Sequence, residues 1–284
     1  MPELPEVETI KRQLDKELVG KKIKLINVLR DKSFSGDMSD VLGRAIRRVS
    51  RRAKVVEVEF AKSESVVIIH LKMTGQLVYV DDKKRLVGGH PAIDWVGRLP
   101  SSHTRVIWEF DDGSKLYFND MRVFGWMRVV KRDWYEEEKK RKAPDVIDKE
   151  FDFDYLKSVL KKSGRAVKLV LTDQEKIGGV GNIYANDALY LSKIYPGRKA
   201  NSLTDIEIEH LRKAVVEVIN KGIKYGGSSA ADEKFVNTLG QKGRYQEHFL
   251  VYERSGKECS RDGGLIKKIR IGGRSAFYCP ECQK

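Results

Sequence analysis

The sequence predicts an α+β protein with three parts: an antiparallel β-sandwich led by a helix, a helical domain, and a C-terminal β-hairpin. Three observations predict this arrangement. Strand-like segments separated by turn residues follow one another from about residue 22 to residue 130 with no helix between them, which is typical of a sandwich. Helical periodicity then returns from residue 153 onward. Two short segments flanking Gly272-Gly273 complete the chain as a hairpin.

The N-terminal domain is predicted over residues 1–131. Its helix is indicated by apolar residues at helical spacing, followed by Gly20 as a stop signal. These apolar residues are Val7, Ile10, Leu14 and Leu18. The strand-like segments are KIKLINVLR, KVVEVEF, SVVIIHL, HTRVIWEF, KLYFND and WMRVV. Residues 132–150 are highly charged and contain a proline, so we predict a linker there.

Residues 151–243 are predicted to form the helical domain. Three helices are expected over residues 153–162, 165–171 and 183–191, and a fourth begins at a capping box of Thr204 and Glu207. Residues 226–243 are polar, contain Gly and Ser and show no periodicity, which indicates a long functional loop. The hairpin is expected within residues 244–284.

The composition favours a polyanionic partner. Lys and Arg number 55 against 41 Asp and Glu, a net charge of +14, and residues 241–284 are especially basic. A lysine-rich cytosolic protein without such a partner would show the same excess. A content of 40% hydrophobic residues argues against a disordered chain, and no apolar run is long enough for a membrane span. Three cysteines and an N-terminus without a signal core predict a cytoplasmic protein.

The tail contains a metal-binding pattern. Cys259 and Asp262 are separated by two residues, as are Cys279 and Cys282, and the predicted hairpin lies between the pairs. This arrangement resembles a zinc ribbon, and zinc accepts a carboxylate oxygen in place of a thiolate. The alternative is a hairpin with free thiols. We expect one Zn²⁺ ion.

Residues 177–189, IGGVGNIYANDAL, place glycines at a turn that leads into a helix. Such glycines let backbone N–H groups approach a phosphate, and Asn182 lies near the start of the helix. A glycine turn before a helix is often only a turn. In a basic protein the pattern suggests a relative of the helix-turn-helix motif that holds a DNA backbone.

The N-terminal segment MPELPEVE has two interpretations. Prolines and early glutamates are ordinary features of a helix start, since they fix φ and complement the helix dipole. Alternatively, removal of Met1, which a small second residue permits, would expose the secondary amine of Pro2. A terminal amine has a pKa of about 8, far below that of lysine, so a larger fraction is the neutral nucleophile that Schiff-base chemistry requires.

These motifs together resemble the formamidopyrimidine-DNA glycosylase family of base-excision repair. The resemblance is found in PELPEVE, RRAK at 51–54, HLKMTG at 70–75, DMRVFG at 120–125, GVGNIYAN at 179–186 and the GGR–FYCPEC ribbon, in order over the whole chain. It implies a helix–two-turns–helix motif in the helical domain and a zinc-finger-like hairpin. It also implies a lesion-recognition loop at residues 226–243.

The resemblance implies a bifunctional enzyme, a DNA glycosylase and abasic-site lyase. Pro2 matches the nucleophile that attacks C1′ of the damaged nucleotide, Glu3 the proton donor to the sugar ring oxygen, and Lys54 a catalytic and phosphate-contacting lysine. The expected substrates are 8-oxoguanine opposite cytosine and formamidopyrimidines. Successive β- and δ-elimination would then nick the strand. A monomer acting on damaged duplex DNA in the nucleoid is expected.

The resemblance also implies a set of DNA-binding residues. Those expected to contact phosphates around the flipped nucleotide are His70, Lys168, Asn182, Tyr252, Lys268 and Arg274. Lys168 is a weaker match, and a solvated helix lysine is the equal alternative. Met73, Arg122 and Phe124 match residues that fill the void left by the extruded base, with Arg122 facing the orphaned cytosine.

Several positions depart from the family pattern. Asp262 replaces a cysteine, Met121 and Val123 replace Pro and Arg, Asp187 replaces Glu, and Glu253 replaces Gly. The core of the 226–243 loop, SSAADEKF, is also unusual. Three alternatives remain open: an endonuclease VIII-like glycosylase for oxidised pyrimidines, a non-catalytic DNA-binding relative, and an RNA-associated basic protein.

Overall fold

A computed structural model of the chain describes residues 2–90, 97–228 and 243–284. The chain divides into two compact units, residues 1–141 with 226–244, and residues 142–225 with 245–284. The helices are α1 (Leu4–Leu18), α2 (Arg132–Arg141), α3 (Phe153–Lys161), α4 (Val167–Leu171), α5 (Asn182–Leu191) and α6 (Asp205–Lys224). The strands are β1 (Ile23–Val28), β2 (Phe34–Ser35), β3 (Ile46–Arg52), β4 (Val55–Phe60), β5 (Ser65–His70), β6 (Gly75–Val80), β7 (Arg85–Gly89), β8 (Thr104–Phe110), β9 (Lys115–Asp120), β10 (Trp126–Lys131), β11 (Lys267–Ile271) and β12 (Arg274–Tyr278).

The first unit is the predicted sandwich. One five-stranded sheet has the order β1-β8-β9-β6-β7 and the other the order β2-β10-β5-β4-β3, and all pairs are antiparallel except the short β2–β10 pair. Alternating side chains of both sheets, including Val56, Val58, Trp108 and Phe118, share one buried apolar core. The six predicted segments correspond to β1, β4, β5, β8, β9 and β10, and strands β2, β3, β6 and β7 were not predicted from the sequence.

Helix α1 covers one open edge of the sandwich. It contacts β3 and β7, the terminal strands of the two sheets, and buries the predicted stripe Val7, Ile10, Leu14 and Leu18 in the shared core. Gly88 on β7 allows this close approach, because a Cβ there would lie 2.3 Å from Ile10. The helix therefore holds its N-terminal residues against the sandwich.

The predicted linker 132–150 requires a correction, because residues 132–141 form helix α2. Tyr135 is buried on the outer face of the second sheet, against Val66 and Ile68. Ion pairs between residues three apart, such as Glu136 with Lys139, further stabilise the helix. Contacts with the second sheet, including the Tyr135 hydroxyl that donates to Glu57 at 2.7 Å, thus hold as a helix a segment whose charge pattern suggests a linker.

The second unit joins the helical domain to the C-terminal hairpin. The predicted boundary at residue 243 is not where the compact units divide: residues 226–228 and 243–244 cluster with the first unit, and the hairpin clusters with helices α3–α6. One reason is that the Ser228 N–H donates to Glu6 Oε1 at 2.6 Å. Strands β11 and β12 pair from Lys267–Tyr278 to Ile271–Arg274, which confirms the two-residue turn at Gly272-Gly273. None of the helices described is long and apolar enough to cross a membrane.

Candidate nucleic-acid interface and metal centre

The predicted catalytic residues belong to elements that meet at one end of the sandwich. Helix α1 runs antiparallel to β3, since the N–H of Gly20 donates to the Ile46 carbonyl near one end and Glu8 pairs with Arg51 at 2.9 Å near the other. The start of α1, with Pro2 and the N-cap Glu3, therefore lies toward the end of β3 that leads into Lys54. Pro2, Glu3 and Lys54 are all buried.

Glu3 and Glu6 form a capping box at the start of α1. The Glu6 Oε2 atom accepts the N–H of Glu3 at 2.8 Å, and the Glu3 side chain accepts from the backbone of Glu6. The interpretation of the early glutamates as an ordinary helix start is therefore correct for Glu6, which caps the backbone of α1. The same capping box holds the Glu3 carboxylate at the end of the helix, where the resemblance assigns it a chemical role.

Lys54 and His70 lie at the same end of neighbouring strands. Lys54 occupies the two-residue turn between β3 and β4, where Ala53 has φ +49°, and Val55 beside it pairs with His70 at the end of β5. Trp126 pairs with His70 from the other side, and their ring centroids are 5.7 Å apart. The β4–β5–β10 segment therefore brings a lysine and a histidine together.

His70 is a neutral donor. Burial, together with the nearby charges of Lys72 and Lys54, lowers the pKa of His70 to about 3. Its Nδ1 atom accepts the N–H of Lys72 at 3.0 Å, so the ring proton is assigned to Nε2. A neutral imidazole with Nε2–H can donate one hydrogen bond to a phosphate oxygen.

The three predicted void-filling residues are exposed on two connections between the sheets. Met73 lies between β5 and β6 and is 41% exposed, and Phe124 lies between β9 and β10 and is 52% exposed. The Arg122 guanidinium stacks on the Phe124 ring, 4.7 Å from its centroid. Both connections leave the sandwich at the end that carries His70, since β5 ends at His70 and β10 begins beside it.

In the second unit, Asn182 is the first residue of α5. The loop before it is fixed by Gln174, whose side chain donates to the Val180 carbonyl at 2.7 Å and accepts the Gly179 N–H at 3.1 Å. Gly179 has φ +93°, a conformation that favours glycine. Among the residues that the structure describes, Asn182 Oδ1 is buried without a hydrogen-bond partner. The Oδ1 atom of Asn182 is therefore not engaged in a hydrogen bond with the described residues.

Tyr252, Lys268 and the hairpin are assembled around Phe277. The Tyr252 ring lies 5.3 Å from that of Phe277, and the Lys268 Nζ lies 5.7 Å from the same ring. The Phe277 N–H donates to Asn186 Oδ1 at 2.8 Å, and Asn186 in turn donates to the Asn182 carbonyl at 2.6 Å. This chain of contacts relates Tyr252, Lys268 and Asn182 within one unit.

The backbone of Tyr252 is held by Asp187, which is fully buried on α5. Asp187 Oδ1 accepts the N–H groups of Leu250, Val251 and Tyr252, and Oδ2 accepts the Tyr245 hydroxyl at 3.1 Å. Burial raises the pKa of Asp187, and these hydrogen bonds act in the opposite direction. The carboxylate that departs from the family's Glu thus still organises this segment.

Lys168 and Arg274 occupy contrasting positions. Arg274 is exposed directly after the Gly272-Gly273 turn. Lys168 is only 1% exposed, and its ammonium donates to the Ser275 carbonyl of β12. The alternative of a solvated helix lysine is therefore wrong: Lys168 fixes the hairpin to α4, and a phosphate contact from it stays a prediction.

Cys259, Asp262, Cys279 and Cys282 form a cluster that could bind one zinc ion. Their ligand atoms all lie within 4.8 Å of one another, and Asp262 Oδ1 is 3.3 Å from Cys279 Sγ. Tetrahedral zinc with bonds of about 2.0–2.3 Å requires ligand atoms about 3.5 Å apart, so the set fits. Burial and the hydrogen bond to Asp262 raise the pKa of Cys282 to about 12, so metal binding must displace a proton there.

Sequence comparisons agree with this arrangement. Residues 1–127 match the formamidopyrimidine-DNA glycosylase N-terminal domain, residues 143–234 the helix–two-turns–helix domain of the same enzymes, and residues 256–284 the zinc finger found in them and in IleRS. The formamidopyrimidine-DNA glycosylase of Pelotomaculum thermopropionicum is 38% identical over 100% of this chain and 99% of its own length. The chain belongs to the formamidopyrimidine-DNA glycosylase family. The enzyme of Carboxydothermus hydrogenoformans is 36% identical over the full length of both chains.

Solved structures of the family give the same result. The Lactococcus lactis enzyme in complex with DNA containing an abasic site has a TM-score of 0.85 and 31% identity, with both chains fully covered. The same enzyme in complex with DNA containing an oxidised pyrimidine has a TM-score of 0.83 and 31% identity over the same coverage. The predicted fold class is thereby confirmed, and the zinc-finger assignment is consistent with the ligand cluster of the second unit.

Several residues that organise these sites were not identified from the sequence. They are Thr74, Asp120, Asn186 and Tyr190. Tyr190 on α5 lies 3.2 Å from Cys259 Sγ and so links the helix to the metal cluster. Each of these residues makes a polar contact with a segment far away in the sequence, and hydrophobic periodicity does not reveal such contacts. Thr74, Asp120 and Asn186 do lie inside quoted motifs, such as Asp120 in DMRVFG, whereas Tyr190 lies outside them.

Proposed function

We propose that this chain removes oxidised purines from duplex DNA and cleaves the resulting abasic site, with the free amine of Pro2 as nucleophile. The observation that carries the proposal is the approach of the α1 start, Lys54 and His70 to one end of the sandwich, in a chain of this family. The proposal requires that Met1 is removed, because a peptide bond would abolish the nucleophilicity of Pro2.

The reaction follows from the chemistry of a secondary amine. The Pro2 nitrogen bonds to C1′ and loses its N–H proton, while the damaged base leaves with the electrons of its glycosidic bond and takes up a proton. Opening of the ring passes the C1′–O4′ electrons to O4′, which Glu3 protonates, and the nitrogen becomes a cationic iminium. The iminium withdraws electrons from C2′, so a proton is lost there and the 3′ phosphate departs. A second elimination releases the 5′ phosphate.

The proposed DNA contacts divide between the two units. In the first, Lys54 and the Nε2–H of His70 bind phosphate oxygens, while Met73, Arg122 and Phe124 fill the void. In the second, the phosphate contacts come from Lys168, Asn182, Tyr252, Lys268 and Arg274. We further infer that the chain acts as a monomer at nucleoid DNA, with 8-oxoguanine opposite cytosine as the preferred lesion.

Borohydride trapping tests the proposal. Duplexes carrying 8-oxoguanine opposite C, an oxidised pyrimidine or an abasic site are compared, and intact mass establishes that Pro2 is the first residue. We expect a covalent complex with the 8-oxoguanine duplex. The matched control is the same chain with one extra residue before Pro2, which should bind DNA but not trap.

Each other outcome favours one alternative. Trapping on the oxidised pyrimidine alone would indicate an endonuclease VIII-like enzyme. Equal trapping by the extended control would refute Pro2 as nucleophile. Salt-dependent DNA binding without trapping, despite a free Pro2, would identify a non-catalytic DNA-binding protein.

A further inference from the structure

We propose that Thr74 and Asp120 are positioning residues that fix Met73, Arg122 and Phe124 relative to one another. Asp120 is the last residue of β9 and is fully buried. The inference rests on the proposed function, because it assigns these three exposed side chains to the DNA void. The inference adds a buried hydroxyl and a buried carboxylate that would hold these three side chains in one arrangement.

Asp120 holds the connection that carries Arg122 and Phe124. Its Oδ2 atom accepts the N–H of Phe124 at 2.8 Å and that of Gly125 at 2.6 Å, and its Oδ1 atom accepts the N–H of Arg122 at 3.2 Å. Three backbone N–H donors of one turn thus converge on one carboxylate. Such charge-assisted bonds are stronger than bonds between neutral groups.

Thr74 joins the other connection to the same carboxylate. Its hydroxyl donates to Asp120 Oδ1 and accepts the Arg122 N–H at 3.1 Å. Thr74 directly follows Met73 and is 9% exposed, so the link is protected from water while Met73 itself is exposed. A single buried hydroxyl–carboxylate pair therefore fixes both residues: Met73 directly precedes Thr74 in the chain, and the Arg122 N–H bonds to both Thr74 and Asp120.

This geometry separates two roles that mutation can distinguish. Asp120 both closes its own turn and joins the two connections, so its removal would disturb the local backbone. Within the part of the chain that the structure describes, the Thr74 hydroxyl bonds only to Asp120 and the Arg122 N–H. Thr74→Val therefore weakens the link between the connections and leaves the Phe124 and Gly125 bonds to Asp120 intact.

The chain offers a matched control in Thr104. Its hydroxyl is also buried, at 3% exposure, and donates to Asn119 Oδ1 at 2.8 Å, one residue before Asp120. Thr104→Val removes a similar hydroxyl from the same sheet, but the Thr104 hydroxyl bonds to Asn119 and to the Ser101 N–H, and neither bond reaches Met73 or Arg122. Thr74→Ser, which keeps the hydroxyl, is the conservative rescue variant.

The test compares a reaction on duplex DNA, which requires the void to be filled, with a reaction on single-stranded DNA, which does not. We expect Thr74→Val to lower kcat/KM about tenfold for a paired lesion in duplex DNA, since a hydrogen bond to a charged group contributes at least that factor. Cleavage of a single-stranded abasic site should change less than about twofold, because no void is present. Thr104→Val should show no such split, and Thr74→Ser should restore duplex activity.

A binding measurement keeps the inference separate from the proposed chemistry. A tetrahydrofuran abasic duplex with 2-aminopurine opposite the gap reports insertion of side chains without any bond cleavage. We expect the fluorescence change to fall in Thr74→Val and to persist in Thr104→Val, whether or not the wild-type chain is catalytic. If both valine variants give the same fluorescence change and the same duplex to single-strand ratio, the positioning role is refuted.

Discussion

The neutrality of His70 makes the stability of the first unit depend on pH in a defined window. The ordinary pKa of 6.5 is lowered to about 3 in the fold. As the pH falls below 6.5, the unfolded chain binds a proton that the folded chain does not bind, so stability decreases; above 6.5 both states are neutral. At 1.36 kcal/mol per pH unit, acidification from about pH 7.5 to pH 5 removes about 2 kcal/mol through His70 alone.

Urea unfolding of the wild type and His70→Asn at both pH values measures this term. Asparagine does not titrate, and its Oδ1 can accept the Lys72 N–H as Nδ1 of His70 does. All four tryptophans lie within residues 1–141, so their fluorescence reports the first unit. Other titrating groups contribute equally to both proteins and cancel. The free energy of unfolding should fall by about 2 kcal/mol more in the wild type, and an equal fall in both would refute the reasoning.

Three further predictions follow from single contacts. Glu253 has φ +56°, so Glu253→Gly should stabilise the protein by about 0.5–1 kcal/mol, seen as a higher Tm; a lower Tm would contradict this. Asp187→Ala removes a buried carboxylate that accepts three backbone N–H groups and should cost about 3 kcal/mol or more in denaturant unfolding, whereas a loss below about 1 kcal/mol would show that water replaces the carboxylate. Cys279→Ser should abolish the one zinc per chain expected by metal analysis of the wild type; full occupancy in the variant would exclude Cys279 as a ligand.

The sequence predicts those features that depend on local pattern. The stripe of α1, the capping box at Thr204 and the Gly272-Gly273 turn are all present, because spacing and turn chemistry specify them without distant partners. Helix α2 was missed because its tertiary contacts, such as Tyr135 against the second sheet and the Tyr135 hydroxyl on Glu57, cannot be read from the charge pattern. Strands β2, β3, β6 and β7 were missed for a similar reason, since they depend on pairing with neighbouring strands.

The candidate site shows the same division. Motif residues such as Lys54, His70 and Arg122 could be named from the sequence, because the resemblance assigns them position by position. The groups that hold them could not, because Asp120 bonds to Thr74 across 46 positions and Asp187 to Val251 across 64. Such pairs obey no period, and only the folded chain brings them together. The sequence therefore names candidate reacting groups, but it does not name the residues that hold them.

Val123, one of the positions that depart from the family pattern, is held in place by Asp120. It has φ +55°, the left-handed conformation that is most costly for a β-branched residue, and it lies between Arg122 and Phe124. A cost of about 1–2 kcal/mol would favour rearrangement of this turn unless other contacts fix it. Asp120 supplies those contacts, because it accepts the N–H groups of the residues on both sides of Val123. The carboxylate that we propose as a positioning group therefore also stabilises a strained backbone, which explains why the turn can accept valine and still present Arg122 and Phe124 to solvent.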